Sequence, residues 1–234
     1  EILKVSGTAF ETDVKLRVLC SHAEKIDTEY LDSQKFQRVL EMIEEIFAQN
    51  EKVLIFASYR LAISRLLDAI QARHPHSYTG VIQGDVPNDE RDQIIEELTN
   101  HHGPGCLILN PAAGGVGLNI QSANHVIHFN PEYNPQSVNQ ATSRAHRIGQ
   151  TKTVFVHHLY YEDTVEEKAM SIQDAKESLA EGVDRGIKRK KSRRSDTLTK
   201  QLSANDVGST GSHQAGILIP KTELDHKFNQ IGQS

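Results

Sequence analysis

The spacing of apolar residues along this chain switches repeatedly between a helical and an extended period. From 34 to 50, "QKFQRVLEMIEEIFAQN" sets Phe36, Val39, Leu40, Ile43, Ile46 and Phe47 three and four residues apart, which predicts a helix with one buried face. Asp32 or Ser33 stands where a cap is needed. "KVLIFAS" (52–58) is a short continuous apolar run, the pattern of a strand covered on both faces. Ile63, Leu66, Leu67 and Ile70 return to helical spacing up to about His74. "YTGVI" (78–82) then predicts a strand, "VPNDERDQIIEELTN" (86–100) a helix begun by Pro87, and "CLILN" (106–110) and "HVIHF" (125–129) two more strands. A short helix around Gln140, a strand at "TVFVHHL" (153–159) and a last helix from Val165 to about Leu179 complete the series. Strands alternating with helices predict an open parallel sheet with helices on both faces.

The two ends read differently. Residues 1–33 lack sustained periodicity and are expected to lead in from a preceding domain. The alternating domain spans 34–180. From 181 to 234 the composition turns to Ser, Thr, Lys, Arg, Asn and Gly, with "KRKKSRR" at 188–194 and only the brief "ILI" at 216–218. A polar, basic, flexible tail is the expectation.

Composition narrows the classes. The 234 residues suffice for a substantial core. A formal net charge of -5 means that any nucleic-acid surface is local rather than global. Cys20 and Cys106 form no CxxC pair and read as buried thiols of a reducing compartment. No apolar run reaches the roughly 20 residues of a membrane span and no signal pattern opens the chain, so a soluble, intracellular protein is expected. Because the sequence begins at Glu1, a longer parent protein is expected too.

Candidate chemistry concentrates in two places. In "NQATSRAHRIGQ" (139–150), Gln140, Arg144 and Arg147 share one helical stripe, beside an apolar stripe of Val138, Ala141, Ala145 and Ile148. Two planar guanidiniums on one rigid face match a spread anionic target such as a triphosphate; an ordinary solvated face is the alternative. In "NPAAGGVGLN" (110–119), Gly114, Gly115 and Gly117 would let backbone N–H groups approach an anion; a tight strand-to-helix turn is the alternative. The loop is no dinucleotide fingerprint, since Ile120 stands where a third glycine is required, and no GK[ST] of a P-loop occurs. No metal site is expected. His125 and His128 point to opposite faces of one strand, and the adjacent pairs His101–His102 and His157–His158 diverge.

Taken together, these segments resemble the second RecA-like lobe of SWI/SNF-type helicase-related ATPases, double-stranded-DNA translocases of helicase superfamily two. "LRVLCSH" (16–22) is similar to the family's lead-in and "KVLIFASY" (52–59) to its fourth motif. "GDVPNDERDQII" (84–95) is similar to the segment after it. "AAGGVGLNIQSANHVIHFNPEYNPQSVNQATSRAHRIGQ" (112–150) is similar to the fifth and sixth motifs almost without interruption. The resemblance implies that Arg144 and Arg147 are fingers reaching ATP on a first lobe, with Gln140, Gly115, Gly117 and Asn119 near the nucleotide. It implies contacts to the duplex backbone at Ser58, Arg60, Asn110 and Gly114. Asn110 and Pro111 depart from the hydroxyl or lysine frequent before "AGG", and Asn130 replaces a frequent acidic residue.

The resemblance also implies partners. ATP and Mg2+ would be held mainly by a first RecA-like lobe, whose P-loop lysine and carboxylate pair are absent from this sequence. Double-stranded DNA is the expected track and no membrane is involved. The isolated chain is therefore expected not to hydrolyse ATP. A non-catalytic DNA or protein docking module is the alternative, and a free-standing nucleotide enzyme on a similar sheet is disfavoured by the failed glycine fingerprint.

Overall fold

The computed structural model describes residues 9–21, 33–111, 118, 120–132, 134–143, 145, 151–176, 178–179 and 212–220. In chain order the elements are α1 (Ala9–Ser21), α2 (Gln34–Ala48), β1 (Lys52–Phe56), α3 (Arg60–Arg73), β2 (Tyr78–Ile82) and α4 (Asn88–Asn100). Then come β3 (Gly105–Leu109), β4 (His125–His128), α5 (Pro135–Thr142), β5 (Val154–Tyr161), a helix α6 over 165–176, and β6 (Ser212–Ile219). The strands form one sheet in the order β2-β3-β1-β4-β5-β6, and every pairing is parallel.

β1 shows why its sequence is apolar without a break. Val53, Ile55 and Ala57 enter the core on one face, together with Val39 and Ile43 of α2 and Ile63, Leu66 and Ile70 of α3. Leu54 and Phe56 enter the opposite core, with Leu98 of α4, Ile82, Val126 and Ala145. Alternate residues of a strand point to opposite faces, so a central strand with helices on both sides has no polar position. At α2 the Ser33 hydroxyl accepts from the Phe36 N–H at 3.1 Å, the cap expected there. Asn50, at φ 58, ends that helix in the left-handed region.

Two elements lie outside the 34–180 span and pack onto it. α1 buries Leu19 and Cys20, although its apolar residues do not gather into a stripe that would announce a helix. β6 lies within the segment that composition marks as tail, and pairs with β5 over eight positions, from Val154↔Ser212 to Tyr161↔Ile219. An edge strand needs only one covered face, which Ile219, 3% exposed, supplies.

The core also holds an ion pair. Lys35 at the start of α2 and Glu166 on α6 are both buried, with Nζ 2.7 and 2.9 Å from the two carboxylate oxygens. The Tyr161 N–H donates to Glu166 at 3.2 Å, and the Lys35 ammonium lies 5.0 Å from the centre of the Phe129 ring. Burial raises the Glu166 carboxyl, against the opposing pull of Lys35. Beside them burial, reinforced by Glu166, pushes the Cys20 thiol up to about 12. Both cysteines are free and buried, as expected.

Candidate functional site

The chain order of the strands fixes where a ligand can sit. β1 is central, with β3 on one side and β4 on the other. The connection leaving β1 enters α3, whose apolar residues join one core; the segment after β4 brings Ala145 into the opposite core. Connections departing to opposite faces leave a crevice between the carboxyl ends of β1 and β4.

That crevice is tied together by polar contacts. The Phe129 N–H donates to Phe56 O at 2.9 Å, continuing the sheet one step beyond β4. The Ser58 N–H donates to Asn130 Oδ1 at 3.1 Å, and the Ser58 hydroxyl donates to Glu132 Oε1 at 2.7 Å. Asn110 Nδ2 donates to Ser58 O at 3.2 Å, bringing the loop after β3 to the same point. From the other side, Asn130 Nδ2 donates to the Ser21 hydroxyl. Arg17 donates to Pro131 O at 2.6 Å and lies 3.9 Å from Glu132. α1 is thus fastened to the loop that leads into α5.

Arg60 lies further out, with its side chain 71% exposed. Its guanidinium pairs with Asp85, and its Nε donates to Gln83 Oε1 at 3.0 Å. The hydrogen bond from Arg60 lowers the Asp85 carboxyl. Gln140 is exposed on α5, while Val138 and Thr142 turn inward. Arg144, Arg147, Gly114, Gly115, Gly117 and Asn119 lie outside the described residues. Among those described, the crevice brings together Ser58, Asn110, Asn130, which sequence marks only as a departure from the family pattern, and the unanticipated Glu132, Arg17 and Ser21. Sequence offered one signal for Glu132, which follows a strand at its carboxyl end.

Two stacked histidine pairs lie on opposite faces of the sheet, one of them behind α5. His128 stacks on His158 with ring centres 4.7 Å apart and on Phe56 at 5.3 Å, and its Nε2 lies 3.3 Å from the Thr142 hydroxyl. Burial, then the neighbouring histidine, holds His128 well below the usual range and His158 down at about 4. His158 finds no hydrogen-bond partner for either ring nitrogen among the described residues. On the other face His125 lies parallel to His157 and bonds Glu51 at 2.6 Å. Sequence showed each histidine's face but not the strand register that pairs His128 with His158. Among the described residues no group of three His, Cys, Asp or Glu could hold a metal ion. No described helix is long and apolar enough to cross a membrane.

Comparison with known proteins gives the geometry its relatives. Residues 13–149 match the helicase conserved C-terminal domain, and residues 193–234 match the N-terminal part of restriction endonuclease EcoRII. A putative ATP-dependent helicase/translocase, YwqA of Bacillus subtilis, is 36% identical over 171 residues, covering 70% of this chain and 18% of that protein. The chain spans less than a fifth of the length of the curated relatives it matches. The SWI2/SNF2 ATPase C-terminal domain of Sulfolobus solfataricus superposes with a TM-score of 0.59 at 27% identity, over 78% of this chain and 77% of that one. The ATPase core of the same organism in complex with double-stranded DNA gives 0.60 at 31% identity, over 76% of this chain and 39% of that one. The chain belongs to the helicase conserved C-terminal domain family, as a RecA-like second lobe of the SWI/SNF type.

Proposed function

We propose that this chain is the second motor lobe of an ATP-dependent double-stranded-DNA translocase. It closes on a first RecA-like lobe of the same protein and presents Arg144 and Arg147 to ATP held there. The observation that carries this reading is α5, which leaves the carboxyl edge of β4 with Val138 buried and Gln140 exposed. Of the stripe read from sequence, α5 carries Gln140 and ends at Thr142; the roles of Arg144 and Arg147, outside the described residues, are supported by the likeness of "RAHRIGQ" to the family's sixth motif.

ATP, with Mg2+ held mainly by the first lobe, supplies the phosphoryl group to be transferred. What this chain adds is fixed positive charge where negative charge builds, together with an amide at Gln140 to orient the nucleotide. Gly115, Gly117 and Asn119 line the nucleotide side, while Ser58, Arg60, Asn110 and Gly114 meet the duplex backbone. Contacts to phosphates position a duplex without reading its sequence, so movement is indifferent to sequence. The chain alone does not turn over ATP. The match at 193–234 to part of a restriction endonuclease supports a setting in which DNA is also the substrate of an adjoining segment.

The test is ATP turnover by the protein with its preceding lobe, with and without double-stranded DNA. DNA-stimulated turnover that falls by roughly 10³-fold or more in Arg144→Ala or Arg147→Ala is the expected result. Unchanged turnover in both variants would refute the finger roles, and turnover by the chain alone would refute the need for a first lobe.

A further inference from the structure

The two side chains at the β1–α3 junction assigned to the duplex backbone, Ser58 in the loop and Arg60 at the start of α3, are both already engaged by carboxylates of the lobe itself. The Ser58 hydroxyl donates to Glu132 at 2.7 Å, and the Arg60 guanidinium pairs with Asp85. A hydroxyl has one proton to donate. While that proton points at Glu132, a phosphate arriving at Ser58 meets an oxygen lone pair and a negative charge behind it. At Arg60 the fork that would grip a phosphate grips Asp85. The two carboxylates come from different loops, after β4 and after β2, so one local turn does not account for both.

Resting on the translocase reading, we infer that Glu132 and Asp85 are internal competitors for the duplex backbone, each occupying in the DNA-free lobe the donor that a phosphate takes. Binding is then an exchange of one anion for another. The donors are held ready when DNA is absent, and every contact has a replacement waiting when it breaks. Arg17, 3.9 Å from Glu132, keeps that carboxylate paired once Ser58 turns to a phosphate. The arrangement suits a motor that must let go at each step, because the internal anion lowers the barrier to release and limits affinity. The Arg60–Asp85 pair lies exposed and is correspondingly weak, which lets it be displaced.

The experiment is duplex affinity and dissociation rate for the intact protein on a short mixed-sequence double-stranded DNA. Glu132→Ala and Asp85→Ala are each measured alone and in Ser58→Ala and Arg60→Ala backgrounds respectively. Each carboxylate variant should tighten binding about two- to fivefold through slower dissociation. The gain should vanish when its own donor is removed. Asp89→Ala, which removes an equal exposed charge from the first turn of α4, should give a smaller gain. Gains that persist unchanged without the donor, or that Asp89→Ala matches, would reduce the effect to net charge and overturn the proposal, as would no gain at all. Glu132→Gln guards against a folding defect, since the amide oxygen still accepts from Ser58 and only the charge is lost. Failure of the wild-type protein to hold duplex DNA would overturn the translocase reading itself, and is told apart by the starting affinity.

Discussion

Lys35 and Glu166 illustrate how much can hang on two side chains. Their charges are out of water, and their mutual attraction is fully used in offsetting that desolvation. Removing one partner leaves the other stranded. Glu166→Ala is therefore expected to lower stability by about 3–5 kcal/mol, read as a shift in the urea midpoint at unchanged slope. Replacing both at once, Lys35→Met with Glu166→Leu, should cost far less, because no buried charge remains. Neither residue was singled out by sequence, since Lys35 lies in an amphipathic helix where lysine normally faces water. Asn130 is legible only as a departure from the family pattern; its bonds to Ser21 and Ser58 cross long stretches of chain. By contrast the arginine pattern and the glycine loop are compact in sequence and stand out there at once, while their placement lies outside the described residues.

Among the elements, most of those between α2 and α6 could be read almost directly, because each carries its own period and its own stops; α5 is the exception, since its apolar spacing runs on to Ile148 while the helix ends at Thr142 and Ser143 and Ala145 lie in a turn. α1 and β6 could not. In α1 only the last turn is buried among the described residues, and three residues cannot establish a helical repeat. β6 contains Ala215 and Gly216 before its apolar end, and at the edge of a sheet one buried position suffices. That position sets the expectation for the element. Ile219→Ala should cost about 2–5 kcal/mol and speed hydrogen exchange at the amides of β5. Leu218→Ala, pointing outward at 47% exposure, should stay within about 0.5 kcal/mol. Equal, small effects from both would detach β6 from the sheet.

At the scale of the whole lobe, acid should unfold it early. His128 and His158 are kept neutral by burial, so the folded lobe binds their protons less readily than the unfolded chain does. Above pH 6.5 neither state is protonated and there is no penalty. As pH falls below 6.5, toward about 4 for His158, the unfolded chain gains protons first and stability drops by about 1.4 kcal/mol per pH unit for each such histidine. Burial raises the Glu51 carboxyl, but hydrogen bonds from Asn124, His125 and Lys152 outweigh it and hold the group at about 2. Its contribution is present above about 4.5 and is lost as pH falls from there toward 2, extending the same trend. Denaturant midpoints measured from pH 7 to pH 4 should fall continuously, and His158→Phe should flatten the upper part of that curve.

The buried thiols have a use at the bench. A maleimide reacts with thiolate, and neither native cysteine offers one at neutral pH: Cys20 is pushed up to about 12 and Cys106 is raised further by complete burial. The turn at 74–77 between α3 and β2 leads into the amino end of β2, across the sheet from the crevice, and His76 there is exposed. A His76→Cys variant should accept a single fluorophore without any native cysteine being removed. The folded lobe thus carries its own chemically silent background against which its movements can be watched.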